Sequence, residues 1–357
     1  MSSTQNRASI REFTMVCAVI LGATAVFLWG LVGHPINHDV AWYLVATRRW
    51  IDGAELYVDL LEINPPLQFY LTLPAVWLAD VTGFKPSTAQ YCVVAGLMSG
   101  SLFWCWRLLA RHGFRSSDVR IGFIAALAAF LIILPMGEEG QREHFMTLFV
   151  LPLVLAWFVV PRPDFGRDAV LRAVFASLGL WIKPYFLIIP LVLTVISVVR
   201  ERSPRPIFSH ANLTILAAGL LFVALVVLRY PAYLTEIAPM GAEVYGAYAA
   251  SSAEFFWRSG PISSLLFSVL CLLAWRAGLA RVDVAFGLAL AGMISYGAQL
   301  SGFSYHAIPR NIFIGLGVVW ILTQRGTPRG VSMIALSVAV VLVMRPLHDG
   351  RYYNGSY

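Results

Sequence analysis

"LQFYLTLPAVWLADVTGF", residues 67–84, decides how this chain is threaded. It is apolar enough to pass for a membrane-crossing helix, and counting it as one inverts everything that follows. Pro74 and Asp80 argue against a crossing, because proline removes a backbone hydrogen bond and a carboxylate is costly in hydrocarbon. Arginine placement decides the matter. If 67–84 does not cross, alternate downstream loops collect thirteen arginines on one side, among them Arg111, Arg115, Arg202 and Arg325. The other side has five basic residues: Arg142, Lys183, Arg229, Arg258 and Arg310. Basic loops stay in the cytoplasm, so the thirteen are expected inside together with the N-terminus. Residues 67–84 are then expected to dip into or lie along the outer interface.

The rest of the chain supports a membrane setting. Its 357 residues are 59% hydrophobic and 13% charged, and a mean hydropathy of +0.72 excludes a soluble globular domain. About eleven runs approach the ~20 apolar residues that a spanning helix needs. They lie near 13–33, 89–110, 121–136, 145–161, 169–182, 184–200, 211–229, 262–276, 283–300, 309–323 and 331–347. The expected fold is an all-α polytopic membrane protein, one domain over 1–357. It comprises an outer loop with interfacial helices at 34–88, a transmembrane bundle at 89–347 and an outer tail at 348–357. Arg7 and Arg11 precede the first run, and "AVFLWGLVG" continues it past Ala25, which favours a retained anchor over a signal cleaved after "ATA". The net charge of +7 is almost wholly arginine, Lys85 and Lys183 being the only lysines. Its scatter through short loops indicates orientation in a membrane, not a nucleic-acid surface. Cys17, Cys92, Cys105 and Cys271 fall in apolar runs with no metal-ligand spacing, so neither a disulfide framework nor a redox motif is expected.

This threading gathers four polar clusters on the outer face: "HPINHD" (34–39), "MGEEGQREHF" (136–145), "WIKPY" (181–185) and "SGFSYHAIPR" (301–310). Ionisable groups at the ends of apolar helices are expensive and usually functional. Each has a plain structural reading too. Asp39 precedes Val40, Tyr43, Leu44 and Ile51 at helical spacing and would serve as an N-cap. Glu138, Glu139, Arg142 and Glu143 would be a solvated turn with local ion pairs. His34 and His38 beside Asp39 would suit a metal, though Pro35 interrupts a simple helical presentation. Lys183 would be a snorkelling lysine ahead of a helix-starting proline, and Tyr305 with His306 an aromatic-belt pair.

Taken together, the clusters resemble a family. An acid soon after the first span, followed by "DGAELYVDLLEINPPLQFYLTLP", is similar to the first outer loop of GT-C membrane glycosyltransferases of the protein O-mannosyltransferase and aminoarabinose-transferase type, including the rhizobial lipopolysaccharide glycosyltransferases. In that family the loop carries the catalytic acid, a small-residue turn with "LY" and a proline-rich stretch opening an interfacial helix. "GQREHF", the "KP" at 183–184 and "YHAIP" at 305–309 resemble further family positions, and the likeness runs over roughly 13–325. It implies a GT-C-like fold and transfer, with inversion, of a sugar from a polyprenyl-phosphate donor to an envelope glycan, lipid or protein acceptor. The chain departs from the family where Val40 follows Asp39 in place of an acidic pair, so the second carboxylate is sought in Glu143. Many relatives continue into further spans or a soluble outer domain, and none is expected here from the ending "LHDGRYYNGSY".

The chemistry fits residue by residue. A sugar on a polyprenyl phosphate presents its anomeric carbon near the membrane surface, because its tail stays in hydrocarbon. Asp39 lies only six residues past Gly33, and at roughly 3.3 Å per residue it stays near the interface. There it would act as general base on the acceptor hydroxyl, with Glu143 as the alternative. Lys183, Arg142 and Arg310 would meet the donor phosphate, while His38, His144, Tyr305 and His306 would contact substrate. No cofactor or protein-held metal is required by this reading, and a divalent ion is left open. Membrane lipids are the remaining partner, and the cytoplasmic membrane the expected location, with the site and C-terminus on the outer side. Two rival activities remain. A lipid-linked polysaccharide ligase or polymerase would use a late outer loop, here 230–261 with Glu236, Glu243, Glu254 and Arg258. A transporter or flippase would carry mid-span polar groups and internal repeats, whereas here charges sit at outer ends and no repeat is visible.

Overall fold

A computed structural model of the chain describes residues 3–247, 261–299 and 302–353. Among these residues it contains fourteen α-helices and no strand. α1 (Ser3–Leu31), α2 (His38–Ile51) and α3 (Leu67–Thr82) precede α4 (Pro86–Arg111), α5 (Ser117–Ile133), α6 (Arg142–Val159) and α7 (Arg167–Leu180). Then come α8 (Ile188–Glu201), α9 (His210–Arg229), α10 (Ala238–Ala247), α11 (Pro261–Arg276), α12 (Val282–Ala298), α13 (Ile308–Leu322) and α14 (Arg329–Tyr353). Tight 3-10 turns, Pro184–Leu187 and Ser304–Ala307, lead into α8 and α13.

Helices occupy all eleven apolar runs, but length separates them. Six stretches are long and apolar enough to cross a membrane: Ser9–Leu31, Pro86–Arg111, Arg142–Val159, Pro184–Glu201, His210–Arg229 and Ser304–Leu322. Ile262–Arg276, Val282–Ala298 and Arg329–Met344 are apolar and shorter. α5 and α7, with 17 and 14 residues, fall below the ~20 that a full crossing takes. The chain is therefore a multi-pass helical membrane protein in which fewer helices reach full length than the eleven runs suggest. Residues 67–84 form α3, a 16-residue helix with Pro74 inside it and Gly83 closing its C-terminus. At ~1.5 Å per residue it is about 24 Å long, and it packs on α2 and α4.

Two helices form the centre. Every residue from Arg142 to Phe158 is buried, and in α13 only Asn311 and the terminal Leu322 escape full burial. α6 rests on α4, α7 and α13, while α13 also rests on α5, α12 and α14. The outer helices turn leucines and valines outward, for instance Leu220, Leu221 and Leu228 of α9, as lipid contact demands. A second, smaller core lies under the segment between α2 and α3. Tyr43, Leu56, Tyr57, Leu60 and Phe69 pack there with Tyr230 and Ile237. The Tyr57 ring stands 5.8 Å from Tyr230 and 4.9 Å from Tyr233, and its hydroxyl donates to the Asn64 carbonyl at 2.8 Å.

Lipid is as apolar as leucine, so helices in a bilayer gain chiefly from close packing at small residues. A Cβ on Gly179 of α7 would lie 2.8 Å from the Met146 Cα of α6, whereas one on Gly96 of α4 meets nothing within 4 Å. Gly179→Val is expected to destabilise the bundle by about 1–3 kcal/mol, while Gly96→Ala leaves stability unchanged or slightly raised. Thermal unfolding of both variants in detergent checks this.

Candidate functional site

The four polar clusters meet at the first turns of four helical segments. α2 starts because Asn37 caps it: the Asn37 carboxamide oxygen accepts the Asp39 backbone N–H at 2.9 Å. The cap expected of Asp39 thus belongs to Asn37, and the Asp39 carboxylate is released to face α6. There its Oδ2 accepts from Gln141 Nε2 and from the Arg142 guanidinium, each at 3.3 Å. The Arg142 guanidinium also donates to the Tyr43 hydroxyl at 3.4 Å and lies over that ring. His38 reaches Asp39 Oδ1 at 3.1 Å from an exposed position.

Behind this layer lies a buried ion pair. Lys183, at the start of the turn into α8, donates to Glu143 Oε1 at 2.7 Å and to Gln299 Oε1 at 2.8 Å. His306 Nε2 stands 3.7 Å from the same Glu143 oxygen, and Lys183 Nζ lies over the Tyr305 ring, 5.7 Å from its centre. Burial lowers the Lys183 ammonium pKa against the raising influence of Glu143. Arg142, Glu143 and Lys183 are all buried, which replaces the expected solvated turn and snorkelling lysine. The reason is that α6 is buried from its first residue, so its first-turn charges must find partners inside the protein.

A cleft of about 220 Å³ opens onto this arrangement. Asp39, Arg142 and Tyr305 line it together with Trp42, Glu62 and Asn64. Glu62 accepts from Trp42 Nε1 at 2.8 Å and from the Asn64 backbone N–H at 2.9 Å. Of the expected site residues, Asp39, Arg142 and Tyr305 border the cleft, with His38 beside Asp39. Glu143, Lys183 and His306 form the layer behind. His144 and Arg310 stand elsewhere: His144 Nδ1 accepts the Gly140 N–H at 3.3 Å, steadying a turn that Gly140 makes at φ +83°. Arg310 donates to Asn311 at 2.7 Å and lies over Tyr296, where Gly292 lets α12 approach its backbone. Glu62 and Asn64 were readable as polar residues in apolar "LLEINPP", and Trp42 lies one turn beyond Asp39 on α2. Gln299 gave no signal, being one amide at the end of an apolar run. Glu254, Arg258 and Ser301 lie outside the described residues. Among the described residues no three of His, Cys, Asp and Glu gather as metal ligands, and His34 does not join His38 and Asp39 in one.

Glu138 ties two sides of the cleft. It accepts from Asn37 Nδ2 and from the Ser304 hydroxyl, both at 2.7 Å. Burial, opposed by the Ser304 hydrogen bond and reinforced by the charges of Glu143 and Asp39, raises its pKa to about 7. Burial likewise raises neighbouring Glu139 to about 7. No protein-family model matches the chain, and no curated protein matches it.

Removing one partner of a buried pair strands the other charge, whereas replacing both is often near neutral. Lys183→Ala is expected to destabilise by about 3–5 kcal/mol, and the double change Lys183→Met with Glu143→Leu to recover most of that loss. Chemical or thermal unfolding of the single and double variants measures both. A pH effect follows separately from Glu138 and Glu139. Their pKa is raised on folding from 4.5 to about 7, so the folded state holds more protons between these values. Stability is therefore greatest on the acid side of this window and declines as pH rises through it. Glu138→Gln should flatten that decline, read as Tm against pH.

Proposed function

We propose that the chain is a membrane glycosyltransferase that moves a sugar from a polyprenyl-phosphate donor to an acceptor hydroxyl. One observation carries the reading: the first turns of α2, α6, the segment entering α8 and the segment entering α13 converge on one cleft, with an acid at its wall and cations at and behind it. Helix N-termini carry partial positive charge and favour anions, which suits a phosphate leaving group. The cleft is smaller than the roughly 300–1,000 Å³ of pockets for drug-sized ligands, a scale fitting one sugar ring.

In this reading Asp39 accepts the proton of the acceptor hydroxyl as its oxygen attacks the anomeric carbon. The bond from that carbon to the phosphate oxygen breaks, and the polyprenyl phosphate leaves with the electron pair. Arg142 meets the growing negative charge directly. Lys183, held by Glu143, adds positive potential from behind. The base is Asp39 rather than Glu143, whose carboxylate is committed to Lys183 and closed off from the cleft. Tyr305 and Trp42 offer ring faces to a sugar. The protein would lie in the cytoplasmic membrane with its N-terminus inside, the cleft on the outer side and α3 along the outer interface. The acceptor is a cell-envelope glycan, lipid or protein.

Asp39→Asn tests the reading cleanly because Asn37, not Asp39, caps α2. The substitution is expected to preserve abundance and Tm while lowering transfer by about two orders of magnitude or more, the scale of a lost general base. The measurement is mass spectrometry of envelope glycans and polyprenyl-linked sugars in a strain lacking the protein, complemented with wild type or variant. Accumulated donor and a missing sugar with the empty strain and with Asp39→Asn, but not with wild type, support the proposal. Unchanged glycans in the strain lacking the protein overturn it.

A further inference from the structure

A second cavity, larger than the cleft, lies apart from it. About 400 Å³ opens between α4 and α7, at the end of α7 that follows the α6 C-terminus and thus away from the cleft. On α4 its wall is the stripe Gly100, Phe103, Trp104, Arg107, Leu108 and Arg111, one helix face at i, i+3, i+4 spacing. From α7 come Asp168, Leu171 and Arg172. The lining changes along α4: Phe103 and Trp104 lie toward the middle of the helix, Arg107 and Arg111 at its end. The Trp104 ring of this wall packs on Phe175 of α7, with ring centres 5.4 Å apart. Leu171 is 48% exposed, so the groove opens outward to the medium around the bundle.

The basic end is incompletely neutralised. Arg107 is exposed and pairs with no acid among the described residues. Arg111 meets Asp168 at 3.1 Å in an open ion pair, which is worth little in itself. Arg172 is 2% exposed, donates through Nη2 to the Pro163 carbonyl at 2.7 Å, and leaves its buried Nε without a partner. Three arginines against one carboxylate leave a surplus of positive charge, and Pro86–Arg111 is a candidate span ending at this point. With that span across a bilayer, the arginines at its end would stand near the headgroups.

We infer that this groove seats one phospholipid with a net negative headgroup, its phosphate among Arg107, Arg111 and Arg172 and an acyl chain along Phe103 and Trp104. A free phosphate would use only the basic end. The apolar half of the groove, continuous with it and open to the side, selects a lipid. The inference is independent of the activity proposed for the cleft.

Native mass spectrometry of the full chain in detergent, titrated with phosphatidylglycerol or with phosphatidylcholine of the same acyl chains, tests it. One phosphatidylglycerol should be retained in preference to phosphatidylcholine. Juxtamembrane basic residues each favour anionic lipid by roughly fivefold, so Arg107→Gln should weaken retention on that order, and Arg107→Gln with Arg111→Gln roughly twentyfold. Inorganic phosphate in excess should not displace the lipid. Equal retention of the two lipids, displacement by inorganic phosphate, or undiminished retention in the variants overturns the inference. Arg107 is exposed and unpaired, so Arg107→Gln alone gives the decisive reading if the double variant is unstable.

Discussion

The Lys183–Glu143 ion pair is the contact on which the polar end of the bundle depends. α6 is buried from its first residue, so Glu143 cannot be hydrated and must be matched within the protein. Lys183 matches it from the segment entering α8, Gln299 holds Lys183 from the end of α12, and His306 approaches from the entry to α13. One carboxylate thereby fixes three other segments relative to α6. Taking two charges out of water is expensive, and their attraction offsets that only with good geometry. A purely structural bundle would do as well with leucine and methionine there. Keeping charges in such a position, beside a cleft lined by Asp39 and Arg142, is what joins the architecture to the proposed chemistry.

Hydropathy revealed where helices lie, because an apolar run in a membrane has little alternative to helix. It did less well on length. The polar residues at run ends reshape those ends into turns, as at 134–141 and 181–187, and no periodicity reports that in advance. Among site residues, Asp39, Arg142 and Tyr305 were legible because they are polar at the edge of apolar segments. Their pairings were not legible. Asn37 rather than Asp39 caps α2, since the Asn37 amide oxygen takes the Asp39 N–H and starts the helix before Asp39, and spacing alone does not fix that start. Glu143 sits in a charge run that reads as solvated, and only the total burial of α6 turns it inward. Glu62 was visible in the proline-rich stretch but acquires meaning once the segment folds back over α2 and Trp42 donates to it.

The cleft has walls of unequal character. Its back is the main core, where α6 and α13 are buried along nearly their whole length. Its front is the irregular segment between α2 and α3, which carries Glu62, Ile63 and Asn64. That segment is held by the small aromatic core around Tyr57, with the Tyr70 and Tyr230 hydroxyls 2.7 Å apart. Tyr57 itself takes a left-handed backbone at φ +71°, a conformation that a bulky side chain adopts only when its surroundings hold it there.

Two cores of such different size have separate opening free energies. Proteins open in cooperative units, each with the stability of its own contacts. The amides of 55–64 are therefore expected to follow the tyrosine cluster and the Trp42–Glu62 hydrogen bond, while those of α6 and α13 wait for the whole bundle. Hydrogen exchange would divide the cleft along its floor. Its front residues are expected to exchange as a unit separate from the charged layer behind, so that entry of a ligand would be set by a local equilibrium and need not draw on the stability of the membrane domain.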